Sequence, residues 1–150
     1  MGCGPVVGAC MVGQWFACEA ASVFQRCVPL LEYDEGVAQF GLFLGDIVNG
    51  RTCQPPPITL ELDTDLQLIA RAFNARDRQA MSEAISKGAD NWKAYIFTDR
   101  GWPNSVCYQV GLGFIRLARE IWDRSFSVGH FLTPASVSDA VPNVKAGAEF

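Results

Sequence analysis

The feature that most constrains this chain is the spacing of Leu66, Ile69, Ala70 and Phe73. They fall at i, i+3, i+4 and i+7, one face of a helix that can enter a core. Past Phe73 that face ends, and Asn74-Ala75-Arg76-Asp77-Arg78 follows. Two arginines flanking one acid can meet successive anionic groups, with Asp77 holding one guanidinium in place. The competing reading is a solvated helix end with local ion pairs.

The helical period recurs along the chain. Phe16, Ala20, Val23, Phe24 and Cys27 mark one face between positions 13 and 28, closed by Pro29. Val37, Phe40, Leu44, Ile47 and Val48, with Phe43 beside them, predict a second helix capped by Asp34 and ended by Asn49-Gly50. Asp63 or Thr64 caps the third, which carries Phe73; residues 76–87 stay helix-compatible but polar, and Lys87-Gly88 ends them. Val106, Val110, Phe114, Leu117 and Ile121 outline the last helix, capped by Asn104 or Ser105. Gly111 and Gly113 on it allow a neighbouring backbone to approach closely.

Between helices, Gln54-Pro55-Pro56-Pro57 is a stiff extended linker, and Ile58-Thr59-Leu60-Glu61-Leu62 alternates with the period of a short strand. Lys93 to Thr98 could form a second. The expected architecture is all-α, a four-helix bundle with one or two short strands at one end. An extended N-terminal arm over 1–12 precedes the bundle at 13–130, and a tail occupies 131–150.

Half of the 150 residues are apolar (49%) and 19% are charged, which suits one globular domain with a real core. No apolar run reaches the roughly 20 residues of a spanning helix. Val6 to Cys18 comes closest but lacks a basic flank and contains Gln14, so no secretory signal is expected. Met1-Gly2-Cys3 lacks the Ser or Thr of a myristoylation signal, having Val6 there. The six cysteines (Cys3, Cys10, Cys18, Cys27, Cys53, Cys107) contain no C-x-x-C and read as buried free thiols of a reducing compartment. With His130 the single histidine, no metal site and no cofactor are expected. Enzyme chemistry would need a thiol such as Cys27 or Cys107 with His130 as base, yet no cysteine sits in a recognisable nucleophile motif. The net charge of −4 argues against a nucleic-acid module basic over its whole surface, and leaves room for a few concentrated arginines.

Four segments share their order and spacing with one family. Gln14-Trp15-Phe16 precedes the first helix. Pro55-Pro56-Pro57-Ile58-Thr59-Leu60-Glu61-Leu62 follows the second. Leu68 to Phe73 runs on into Asn74-Ala75-Arg76-Asp77-Arg78, and Leu117-Ala118-Arg119-Glu120-Ile121-Trp122-Asp123-Arg124-Ser125-Phe126 closes the last helix. Over about residues 14 to 130 this resembles the coat proteins of rod-shaped plant viruses, the tobacco mosaic virus type, with a benyvirus-like last segment.

The resemblance implies a structural protein of the virion, made in host cytoplasm, that assembles helically with identical subunits around single-stranded RNA, with no membrane and no catalysis. Arg76 and Arg78 would contact RNA phosphates, with Asn74 beside them. The start of the last helix would form the other side of the groove. It carries Asn104 and Ser105 where the tobacco mosaic type has two aspartates, and Arg100 upstream is a third cation. Residues 79–99 would face the lumen.

Trp15, Trp92, Trp102 and Trp122 are candidates for subunit interfaces, with core placement as the competing reading. Glu61, Asp63, Asp65 and Glu83 could oppose like charges across subunits, or simply be solvated. The alternative function is a helical protein–protein adaptor that forms a discrete oligomer without nucleic acid.

Overall fold

A computed structural model describes residues 4–30, 32, 34–98 and 107–134. The described chain is all-helical: α1 (Gly4–Val12), α2 (Gln14–Cys27), a 3-10 turn (Val28–Leu30), α3 (Glu35–Val48), α4 (Thr64–Asn74), α5 (Arg78–Thr98) and α6 (Gln109–Ile121). No strand occurs among the described residues. None of the described helices is long and apolar enough to cross a membrane.

The end signals act as their chemistry dictates. Asp34 caps α3, its Oδ1 accepting the Gly36 N–H at 2.9 Å. Asp63, rather than Thr64, caps α4 by accepting the Asp65 N–H at 3.0 Å. Asn49 closes α3 and Gly50 follows at φ 82°, the left-handed turn that glycine permits.

The core gathers Phe40, Phe43, Leu44, Ile47 and Val48 of α3 with Leu66, Ile69, Ala70 and Phe73 of α4. At its centre runs α6, buried at every position from Gly111 to Ala118. Phe73 meets Phe114 edge-on, ring centroids 5.7 Å apart. Gly113 lets α1 lie against α6: a Cβ there would stand 3.1 Å from both the Val7 carbonyl oxygen and Cys10 Cβ.

Five expectations change. The N-terminal segment is not an extended arm: Gly4–Val12 is a helix, with Val6, Val7 and Cys10 buried. Its residues are apolar on nearly every face, so no period marks it, and it packs between α2 and α6. The buried face of α2 is Ala17, Ala21 and Phe24, while Val23 is 50% exposed. Phe24 sets this phase, because its ring occupies the space over Gly41 of α3.

Residues 93–98 continue α5, which passes through Gly88 without stopping. Gly88 lies under the Tyr108 ring, where a Cβ would clash. The break falls earlier instead, between α4 and α5.

Ile58–Leu62 is not a strand, because α4 supplies its backbone partners from side chains. Gln67, 1% exposed, accepts the Thr59 N–H at 2.9 Å and donates to the Thr59 carbonyl at 2.8 Å. One turn on, Arg71 donates to the Pro56 carbonyl at 3.0 Å. Asn74 accepts the Cys53 N–H at 3.0 Å and donates to its carbonyl at 2.7 Å. Positions 67, 71 and 74 share one face of α4, so three polar side chains hold the extended run 53–59 antiparallel to the helix.

Candidate nucleic-acid interface

The two arginines sit where three helix C-termini meet. Arg76 donates to the carbonyl of Gly50, just past α3, at 3.0 Å. Arg78 donates to Asp123, just past α6, at 3.0 Å, and to Ser125 Oγ at 3.4 Å. Both follow the end of α4 itself. Helix C-termini carry partial negative charge and unsatisfied carbonyls, which favours a cation at Arg76, while Arg78 opens α5 and is held by Asp123 across from it.

Arg76 holds an unusual backbone conformation. The Arg76 N–H bonds Phe73 O at 3.1 Å and the Asp77 N–H bonds Ala72 O at 3.2 Å, the paired bonds of a Schellman cap. The residue that donates the shorter-range bond of such a cap is left-handed, and Arg76 has φ 56° where glycine is usual. An L side chain there costs about 1–2 kcal/mol. Its guanidinium lies over the rings of Phe73 (5.4 Å) and Trp122 (5.8 Å). Burial disfavours its charged form and lowers its pKa. Two donors at this spot, Arg76 Nη1 and Trp122 Nε1, are buried without a hydrogen-bond partner among the described residues.

Arg78 differs. Its side chain is 56% exposed, and its partner Asp123 has a lowered pKa, chiefly because Ser125 donates to that carboxylate and also because Arg78 is near. Asp77 does not hold an arginine. Its Oδ1 accepts the Ala80 N–H at 3.0 Å, making it the cap of α5. Asn74, 9% exposed, spends its amide on Cys53 and faces inward. Arg100, Asn104, Ser105 and Trp102 lie outside the described residues, and α6 begins only at Gln109 with Tyr108 at its N-cap position, so neither Asn104 nor Ser105 caps it.

The sequence reading did not single out two further arginines that adjoin, in sequence, the corner's partners Gly50 and Asp123. Arg51 follows Gly50 and pairs with Asp46 at 2.9 Å, and Arg124 follows Asp123 and is exposed. The Arg51 side chain lines the groove between α2 and α3 together with Cys18, Gly45 and Asp46, so Arg51 adjoins the corner in sequence while its side chain turns toward α2. Arg76 sits just past the C-terminus of α4, whereas Arg78 opens α5, a distinction legible only once the helix ends are known.

Trp122 packs against Phe73 and Phe126, and Trp92 stacks on Tyr95, both at the edge of the core. Trp15, 39% exposed, is the outward one of the three described. Among the four acids, Asp63 caps α4, Asp65 accepts from Asn91 at 2.9 Å, Glu83 accepts from Gln79 at 3.0 Å, and Glu61 is exposed.

Cys10 is the one fully buried thiol of those described, its pKa pushed up to about 12 by desolvation; Cys18, Cys27, Cys53 and Cys107 are half-buried. His130 has both ring nitrogens engaged: Nδ1 accepts the Leu132 N–H at 3.1 Å, which leaves Nε2 to donate to Asp90 at 2.8 Å. In this arrangement neither nitrogen offers a lone pair to a thiol.

Comparison with family models, with curated proteins and with solved structures returns no match.

Proposed function

We propose that this chain is the structural subunit of a helical virion, coating single-stranded RNA through phosphate contacts without strong sequence preference. The observation that carries this reading is the α4–α5 corner, where Arg76 and Arg78 stand two residues apart on a chain of net charge −4. Arg78 is half-exposed there, while Arg76 is turned inward over Phe73 and Trp122. An anionic polymer reaching this corner meets the Arg78 guanidinium and positions itself on charge alone.

In this proposal α2, α3, α4 and α6 are the four helices of the coat-type bundle, and α1 and α5 are additions to it. Leu60 (91% exposed), Leu30 (81%) and Phe131 (63%) supply apolar surface for contacts between subunits. Neighbouring subunits raise one another's effective concentration, so a few arginines per subunit suffice.

Negative-stain electron microscopy together with the A260/A280 ratio tests the reading. Rods or discs containing ribonuclease-sensitive nucleic acid are expected. A small oligomer free of nucleic acid at every pH and salt condition contradicts it. That second outcome is the signature of a helical adaptor, a reading favoured by the internal partners that Arg76 and Arg78 already hold.

A further inference from the structure

The two halves of the Arg78–Asp123 ion pair are held very differently. The Asp123 backbone is fixed: its N–H bonds Ala118 O at 2.8 Å, and its carbonyl accepts the Phe126 N–H at 3.1 Å. Its carboxylate is fixed as well. Oδ1 accepts the Ser125 N–H at 3.0 Å and the Ser125 hydroxyl at 2.8 Å, which leaves Oδ2 for Arg78 at 3.0 Å. The Ser125 hydroxyl, more than Arg78, holds this carboxyl below its ordinary range, and the side chain is only 18% exposed.

Arg78 is the loose half, with more than half of its side chain exposed. Nη1 carries the bond to Asp123 and a longer one to Ser125 Oγ at 3.4 Å, and Nη2 reaches the Ser125 carbonyl only at 3.5 Å. The bridge is one-pronged, where a guanidinium can give a carboxylate or phosphate two parallel bonds. When Arg78 swings away, Asp123 keeps both Ser125 bonds and no acid is stranded, so opening the pair costs little. Arg124, exposed beside Asp123, forms no ion pair among the described residues.

We propose that Asp123 is an intramolecular stand-in for phosphate, an autoinhibitory contact that occupies Arg78 until a single-stranded polyanion displaces it. The inference rests on the coat reading and adds what controls that site. A carboxylate tethered in the same chain competes at an effective concentration on the order of millimolar or above, so a lone phosphate ion displaces it poorly. A strand brings several phosphates at once, one to Arg78 and the next to Arg124, and releases counterions as it binds. Asp123 remains behind as a negative charge beside the strand, which biases the site toward ligands with several phosphates.

Fluorescence anisotropy of a labelled oligouridine strand, titrated with the ribonuclease-treated protein, tests this, with helical content followed by circular dichroism. Asp123→Asn keeps the Ser125 bonds through its amide oxygen and turns an NH2 group toward Arg78. It is expected to tighten binding about fivefold or more. In the Arg78→Ala background, where nothing is left to release, the same substitution gains less than about twofold. Glu83→Gln, which removes the same charge elsewhere on α5, leaves the affinity within about twofold of wild type. If Arg78→Ala weakens binding but Asp123→Asn matches the wild type, or gains as much without Arg78 as with it, the inference is overturned and the coat reading stands. If the strand does not bind the wild type, or binds Arg78→Ala equally well, the reading of the corner falls and the inference with it.

Discussion

The Glu120 carboxylate, near the end of α6, accepts the backbone N–H of Gln14 at 2.6 Å and so caps α2 from across the molecule. The preceding residue, Gly13, at φ 148°, has no side chain to do this, and its absent Cβ leaves room for the Glu120 carboxylate. The other oxygen of Glu120 pairs with Arg116 at 3.0 Å, an arginine whose side chain is 9% exposed. One carboxylate thus satisfies a helix start and a buried cation. Glu120→Ala removes both and is expected to cost about 3–5 kcal/mol, as for a buried pair broken on one side. Urea unfolding of the variant measures it.

The Gln67 amide makes a second long-range tie, holding both backbone groups of Thr59. Gln67→Ala strands them and opens a small cavity, an expected loss of about 2–4 kcal/mol. Because the change frees the 53–59 run first, hydrogen exchange should accelerate at Thr59 before it does in α6.

Glycine substitutions should separate packing from propensity. At Gly41 a Cβ would stand 2.0 Å from the Phe24 ring, and Gly41→Ala is expected to destabilise by about 1–3 kcal/mol. At Gly8, in α1, a Cβ meets nothing within 4 Å. Gly8→Ala should therefore stabilise by about 0.5–1 kcal/mol through helix propensity. Thermal melts of the two variants should move in opposite directions.

Desolvation raises the pKa of Asp63 above its ordinary value of 3.8, against the opposing pull of the Asp65 N–H bond. The folded protein therefore holds this proton more tightly than the unfolded chain does. The sign follows: stability falls as pH rises from the ordinary carboxylate value through the higher folded one. Asp63→Asn keeps a capping oxygen and cannot ionise, so its stability curve should lose that fall. Denaturant midpoints measured across pH 3 to about 6 test this. An unchanged slope in the variant contradicts the assignment.

How far the sequence reaches depends on which residues carry the signal. The buried faces of α3 and α4 were legible because large apolar side chains repeat at the helical period. α2 was out of phase because its packing rests on Ala17, Ala21 and the vacancy at Gly41, and small residues leave no hydrophobic stripe. The alternation at 58–62 is real, but a side-chain amide took the place of a neighbouring strand. The strand propensity of residues 93–98 yielded to the helix running into them. At the corner, the arginines could be picked out but not their geometry, since an arginine in the left-handed position of a helix cap gives no sequence signal. Asn74 was drawn toward RNA by proximity alone; its amide belongs to Cys53.

Arg76 and Arg78 should consequently behave differently. Arg76→Ala removes a bond to Gly50 and two aromatic contacts, so it should cost about 1–2 kcal/mol of stability along with any loss of binding. Arg78→Ala breaks an exposed ion pair worth about 0–1 kcal/mol and leaves the fold intact. Arg78 is therefore the clean probe of the corner.

The most direct measurement is the nucleic acid that co-purifies with wild type and with Arg78→Ala, read as A260/A280 beside negative-stain images at matched helical content. The expected result is RNA-containing rods or discs for the wild type, and loss of the RNA with Arg78→Ala. Equal packaging by both proteins would contradict the corner as the RNA site, and the absence of RNA from the wild type would contradict the coat reading itself.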